Sequence, residues 1–349
     1  MIIFWLTCLV GYPRTSAPEP IKHRINYIDR IKGFAIFIVV LAHVLLLSFN
    51  LGNSLVYRFC ASFEMPLFMF VSGFVAYIQS DGGANRKRLV KRFLAYICPA
   101  FIISYALSLY GYIILGSRDI NMIDTLTGGY WYLKALAIFV CLQAILIKCK
   151  RVWMEFLLIA VAECMFLIGW KANPILHQLF CLEHCFFFYP FFMMGYYSRR
   201  YHLVDKLKAN NWVFTLSFIG FICLLNVHFD IHALRFLSER LVRPSFAILT
   251  IVYLFAVREN ENSKLEQWLN RIGTKTLDIY IYHGIFVLGS YACFDMKMIK
   301  DVGLIMANPI LYLILAVLIS LFLIYISIWI GCLIKKSGLL EKVIYGKFI

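Results

Sequence analysis

His43 lies eleven residues beyond Lys32 in an otherwise apolar run. At about 100° and 1.5 Å per residue, a helix carries both side chains on one face, about 16 Å apart along its axis. Histidine is the side chain best suited to accept a proton near neutral pH. A cation on the same stripe can hold an anionic substrate while its reactive end reaches the imidazole. The alternative is a histidine that packs between helices, with a basic residue reaching for an interface. Asp29 stands one turn before Lys32, at the same mouth. Glu64, in the run FEMPLFMFVSGF, is a carboxyl group in apolar surroundings that must be neutral or paired. It either orients a reacting group or belongs to a structural pair. His283, in YIYHGIF, is a weaker candidate of the same kind. The run Arg86–Arg92 (RKRLVKR) could grip phosphates, although anchoring at a membrane surface makes the same demand.

The elements that position these residues follow from composition. The chain has 349 residues, 62% hydrophobic and 17% aromatic but only 15% charged. Its mean hydropathy is +0.78, whereas a soluble domain has about 25% charged residues. A soluble enzyme, a nucleic-acid-binding domain and a disordered chain are all excluded. A bilayer needs about 20 apolar residues per helix, and ten such stretches occur: 34–51, 55–79, 93–116, 131–148, 153–170, 175–197, 212–229, 241–257, 276–293 and 309–334. Trp131, Trp153, Trp170 and Trp212 fall at their ends, as an aromatic belt requires. The expected fold is all-α, a polytopic membrane protein of about ten transmembrane helices. Of the 34 Lys and Arg residues, 25 fall on the side that includes both termini, which the positive-inside rule places in the cytoplasm. The formal net charge of +15 is therefore mostly topological.

Three segments follow. Residues 1–24 read as an interfacial or poorly ordered leader, 25–334 as the ten-helix membrane domain and 335–349 as a basic cytoplasmic tail. Residues 258–275 have the pattern of a short amphipathic helix lying on the cytoplasmic surface. The eleven cysteines show no disulfide framework. His177, Cys181, His184 and Cys185 cluster in sequence, but their spacing matches no standard metal site. Packing or cavity lining is the preferred reading, and no metal is expected.

The segment YIDRIKGFAIFIVVLAHV resembles the first span of the acyltransferase-3 family of membrane-bound O-acyltransferases. FEMPLFMFVSGF is similar to that family's second-span motif, and RLVKRFLAYICP to the basic loop and Pro that follow. WYLKALAIF, beginning at Trp131, YPFFMMGYY and LDIYIYHGIF resemble its later segments, in the same order. Two positions depart from the pattern. The basic residue before Gly is often Arg in the family and is Lys32 here, which keeps the charge but lacks the guanidinium fork. Where the related branch commonly has His, this chain has Glu64.

The resemblance implies transfer of an acyl group, commonly acetyl, from cytoplasmic acyl-coenzyme A to a sugar hydroxyl. The acceptor would be a surface or exported polysaccharide or its lipid-linked precursor, at the inner membrane of a bacterium. Acetyl-coenzyme A would be a donor substrate rather than a bound cofactor, and the other partners are the bilayer and the glycan. By position, His43 would be the catalytic base and Lys32 its basic partner, with Asp29 and Glu64 beside them. Arg88, Lys91 and Arg92 would serve the donor, and His283 and Trp131 are further candidates. The rival class is a glycan exporter or flippase without acyl-transfer chemistry, which mid-membrane Glu and His also suit. Against it stands the absence of an internal repeat.

Overall fold

A computed structural model describes residues 25–77, 83–115, 130–149, 151–227, 229–259, 263–287 and 309–348. The leader expected over 1–24 and the distal end of the span expected over 276–293 lie outside the described residues. In chain order the helices are α1 (Asn26–His43), α2 (Leu55–Ala61), α3 (Glu64–Ala76), α4 (Gly83–Leu115), α5 (Trp131–Leu146), α6 (Val152–Ala172), α7 (Pro174–Phe180) and α8 (Leu182–Arg200). They continue as α9 (Leu203–Lys208), α10 (Asn211–Asn226), α11 (His232–Leu237), α12 (Arg243–Val257), α13 (Lys264–Gly273), α14 (Thr276–Phe286), α15 (Pro309–Lys336) and α16 (Gly338–Tyr345). The described residues contain no strand.

Six of these stretches are long and apolar enough to cross a membrane, and a seventh is added if α7 and α8, bent by 46° at Cys181, form one span. Trp131–Leu146 and Asn211–Leu225 are apolar but shorter. The helices are apolar on their outer surfaces. On α6, Trp153, Leu157, Val161, Met165 and Ile168 are exposed along one face, while Glu155, Ile159, Ala162 and Phe166 are buried. On α15, Ile314, Leu318, Phe322, Tyr325 and Trp329 are exposed, while Ala316, Ser320 and Ser327 are buried. Apolar stripes of this size are rare on soluble proteins and are what lipid contact requires.

The chain divides into two compact units, and α8 and α15 contribute to both. The first comprises Met1–Gln79, Phe191–Thr276 and Met296–Ile324. Its centre is α1, which packs against α3, α12 and, most extensively, α13. Helix α13 starts from a capping box, in which Ser263 and Glu266 satisfy each other's backbone N–H. The amphipathic helix expected within 258–275 is present, and it packs against the first turns of α1. A Cβ at Gly33 would meet the Leu269 carbonyl oxygen at 2.1 Å, and one at Gly273 would meet the Asp29 carbonyl oxygen at 1.8 Å. Only two glycines allow this approach. Arg30 seals it, pairing with Glu266 at 3.3 Å and donating to the Arg258 carbonyl at 2.7 Å. Gly73 and Gly195 make a second such crossing, where a Cβ on either would overlap the other helix's backbone, at Phe192 or at Phe70.

The second unit comprises Ser80–Pro190, Leu277–Asp295 and Tyr325–Ile349. Within it α4 packs on α5 and α16, and α7 on α5 and α6. One expectation changes here. Arg86–Arg92 form no loop but the early turns of α4, because nothing in that run breaks a helix. The basic tail from 335 is folded: α16 starts at an N-cap from Ser337 and buries Tyr345.

Candidate active site

In the first unit, α1 carries Asp29, Lys32 and His43. Asp29 and Lys32 pair one turn apart at 3.1 Å, the carboxylate buried and the ammonium partly exposed. The sequence made Lys32 the cationic partner of a substrate, and the structure places Asp29 beside it to fix the amine. His43 is the last α-helical residue, half-buried, and its Nδ1 lies 2.8 Å from the Val39 carbonyl oxygen. A carbonyl only accepts, so Nδ1 carries the proton and the lone pair of the neutral ring is at Nε2. The next residues, Val44–Ser48, form a π-helical turn, a distortion found often at functional sites. It changes the helical register immediately after the imidazole.

Glu64 lies on α3, which packs against α1. Ser62 and Phe63 interrupt the second span, and Glu64 is the first residue of the helix that resumes. The helix start favours a negative charge, yet Glu64 Oε2 is buried with no hydrogen-bond partner among the described residues. The break is packed by rings: Phe63 stacks on Phe34 at 6.3 Å and meets Phe59 and Phe221 edge-on at 5.3 and 6.1 Å. Among the described residues Glu64 has no hydrogen bond to His43.

In the second unit, Arg88, Lys91 and Arg92 share one face of α4 through spacings of three and four residues. Arg88 and Lys91 are exposed and Arg92 half-buried. His283, on α14, is buried, with Nδ1 at 2.8 Å from the Ile279 carbonyl and 3.0 Å from that of Tyr280. Trp131 opens α5 beside Tyr130, whose φ of 45° is left-handed. The indole stacks on His184 at 4.2 Å and on Phe188 at 5.1 Å. Tyr130 donates to the Ile281 carbonyl at 2.7 Å, and the Tyr132 ring meets Tyr280 at 4.9 Å. The segments carrying Trp131 and His283 are thereby brought together. His184 belongs to this stack, and Cys181 takes the left-handed conformation that ends α7. Among the described residues no three His, Cys, Asp or Glu side chains group as metal ligands do.

Two features went unread in the sequence. Glu163 lies inside α6 with its Oε1 buried and unpartnered among the described residues; its position in AVAECMFL was the available signal. Asp278 accepts two hydrogen bonds from Lys335, each 2.6 Å, and one from Tyr345 at 2.7 Å. That knot joins segments 57 and 67 residues apart, so no local pattern announces it.

A family model described as an acyltransferase domain matches residues 25–329. No curated protein and no solved structure matches the chain.

Proposed function

This chain belongs to the acyltransferase-3 family of membrane acyltransferases, and from that premise we propose that it moves an acyl group, acetyl in the simplest case, from acyl-coenzyme A to a sugar hydroxyl. The acceptor in this reading is a surface or exported polysaccharide or its lipid-linked precursor. The distribution of basic residues supports ten spans with both termini in the cytoplasm, and a surface-glycan acceptor fits a bacterial inner membrane. In this reading the polyanionic donor approaches from the cytoplasm, to which the positive-inside pattern assigns Lys32 and the run Arg88, Lys91 and Arg92.

One observation carries the chemistry: His43 Nδ1 donates to the Val39 carbonyl oxygen 2.8 Å away, which leaves Nε2 as the basic nitrogen. Nε2 takes the acceptor's hydroxyl proton as its oxygen attacks the thioester carbonyl. The C–O bond forms, the C–S bond breaks, and the proton passes to the departing thiolate, so coenzyme A leaves as a thiol. Lys32, held by Asp29, seats the donor at the mouth of the same helix. Glu64 orients or balances charge beside the reacting groups. Purified His43→Ala is expected to lose about a hundred- to ten-thousand-fold in transfer while keeping its fold. Retained turnover overturns the assignment.

A second reading, a glycan exporter without acyl transfer, draws on the span broken at Ser62–Phe63 with Glu64 at the resumed helix start. Interrupted spans with polar groups at half-helix ends are a transporter feature. Labelled acetyl-coenzyme A separates the two readings, since an exporter neither binds nor consumes it in detergent.

A further inference from the structure

We propose that α16 is an interfacial anchor: its outer stripe of Leu339, Leu340 and Val343 enters the bilayer surface at the end of α15, and Lys336 and Lys342 meet anionic lipid headgroups there. This inference needs only a chain that spans a membrane and does not depend on the acyl-transfer reading.

The inner face of α16 is fastened to protein. Tyr345 is buried and donates to Asp278 at 2.7 Å. Gly346, with a φ of 63°, ends the helix against α4, where a Cβ would meet the Leu94 carbonyl oxygen at 2.5 Å. The other face is bare and apolar. Leu339 is 73% exposed, Leu340 46% and Val343 37%. Spacings of three and four residues put Leu340 and Leu339 beside Val343 in one stripe, on the side of the helix away from Tyr345. Phe348, just beyond the helix, is exposed as well.

Position, level and charge identify what covers this stripe. Tyr325, Trp329 and Leu333, four residues apart, form the last exposed row of α15, which ends at Lys336. Only Ser337 separates that end from α16, so the stripe begins where a lipid-facing helix leaves the membrane. The level agrees. Leu94, which Gly346 approaches, stands two residues beyond Arg92, so α16 ends beside the basic run Arg86–Arg92. Clustered cations next to a span mark the anionic headgroup layer. Charge completes the match. Lys335 is committed to Asp278 and Lys347 to Glu341, each at 2.6 Å. Lys336 and Lys342 are exposed and have no ion pair among the described residues.

An apolar stripe flanked by lysines is the pattern of a helix that lies in the surface of an anionic membrane. A protein partner fits less well. Leu339, Leu340, Val343 and Phe348 together expose roughly a few hundred Å², short of the ~800 Å² per partner that a stable protein interface buries. A lipid surface sets no such minimum. Because Tyr345 and Gly346 hold the inner face, the anchor also ties the height of α14 and of the base of α4 to that surface.

Full-length protein is reconstituted in nanodiscs of phosphatidylcholine, with and without phosphatidylglycerol, and hydrogen exchange is followed over residues 338–346 by mass spectrometry. These amides are expected to exchange about tenfold more slowly in the anionic discs. The double variant Lys336→Gln, Lys342→Gln, whose changes are both exposed, is expected to lose most of that difference. Benzoyl-phenylalanine replacing Leu339 or Val343 is expected to give lipid adducts on illumination. Equal exchange of wild type in the two discs overturns the proposal, as does a difference that the double variant keeps in full. Photoadducts on a second copy of the chain, or no lipid adduct at either position, overturn it as well.

Discussion

His43 and His283 are held by the same device and differ in everything around it. Each directs Nδ1 to a carbonyl four residues back at 2.8 Å, so each neutral ring has its lone pair at Nε2. His43 is half-buried, precedes a π-helical turn and shares its helix with the Asp29–Lys32 pair. His283 is 4% exposed, lies beside the Tyr280 ring and sits on a helix pinned by Asp278, Lys335, Tyr345 and Tyr130. A fixed tautomer therefore does not tell the two apart. Under the proposed reading, access for a substrate and a cation on the approach single out His43 as the base.

The largest expected effect tests that distinction directly. His43→Ala is expected to lower turnover about a hundred- to ten-thousand-fold with little change in thermal unfolding. His283→Ala removes a buried side chain and is expected to lower the unfolding temperature, leaving measurable turnover in the fraction that remains folded. Turnover and melting are measured on the same preparations. A stable His283→Ala protein that is as inactive as His43→Ala breaks the comparison, because both histidines then act in the reaction.

The glycine near each histidine-bearing motif sharpens it next. A Cβ at Gly33 would lie 2.1 Å from the Leu269 carbonyl oxygen, whereas none of the described atoms lies within 4 Å of one at Gly284. Gly33→Ala must force α1 and α13 apart, at a cost of about 1–3 kcal/mol or more, and move the Asp29–Lys32 mouth. Gly284→Ala is expected to be neutral or to stabilise by about 0.5–1 kcal/mol, as helix-interior alanine does. Unfolding midpoints in one detergent check both.

Glu64 offers a smaller and more informative change. A buried polar atom without a hydrogen bond costs about 1–3 kcal/mol, and Glu64 Oε2 is such an atom among the described residues. Glu64→Met keeps much of the volume and removes that cost, so the variant is expected to melt higher. If Glu64 serves the reaction, the same variant turns over more slowly. Higher stability with unchanged activity reduces Glu64 to a tolerated defect of the broken span.

The first unit was the more legible in sequence because its chemistry is local. Lys32, Gly33 and His43 belong to one helix, and helical periodicity alone puts Lys32 and His43 on one face. The role of Gly33 was not legible, since it depends on a backbone oxygen of Leu269, 236 residues away. The break at Ser62–Phe63 had a local signal that went unread: Pro66 has no N–H to donate to the Ser62 carbonyl, and rings pack around the interruption. In the second unit the motif residues His283 and Trp131 were visible as types. Their environment comes from long-range tyrosine contacts that no spacing encodes, such as Tyr130 to Ile281. The apolar stripes gave the helices, whereas the left-handed turn at Cys181 carries no glycine or proline to announce it.

The smallest expected effect concerns Tyr345. Burial, with Tyr282 and Asp278 beside it, holds the Tyr345 hydroxyl far above the usual tyrosine range, so it stays a donor at every physiological pH. Tyr345→Phe removes its 2.7 Å bond to Asp278 but keeps the ring, and the two 2.6 Å bonds from Lys335 remain. The carboxylate is thus never left without a partner, and the loss is expected to stay near the ordinary ~1 kcal/mol of a hydrogen bond. The knot lies five residues before His283 on α14. If that region only supports the fold, unfolding shifts slightly and the kcat and KM for acyl-coenzyme A stay put. A kcat that falls while the melting curve hardly moves would mean that α14 must be held in register for the reaction, which would bring His283 back beside His43.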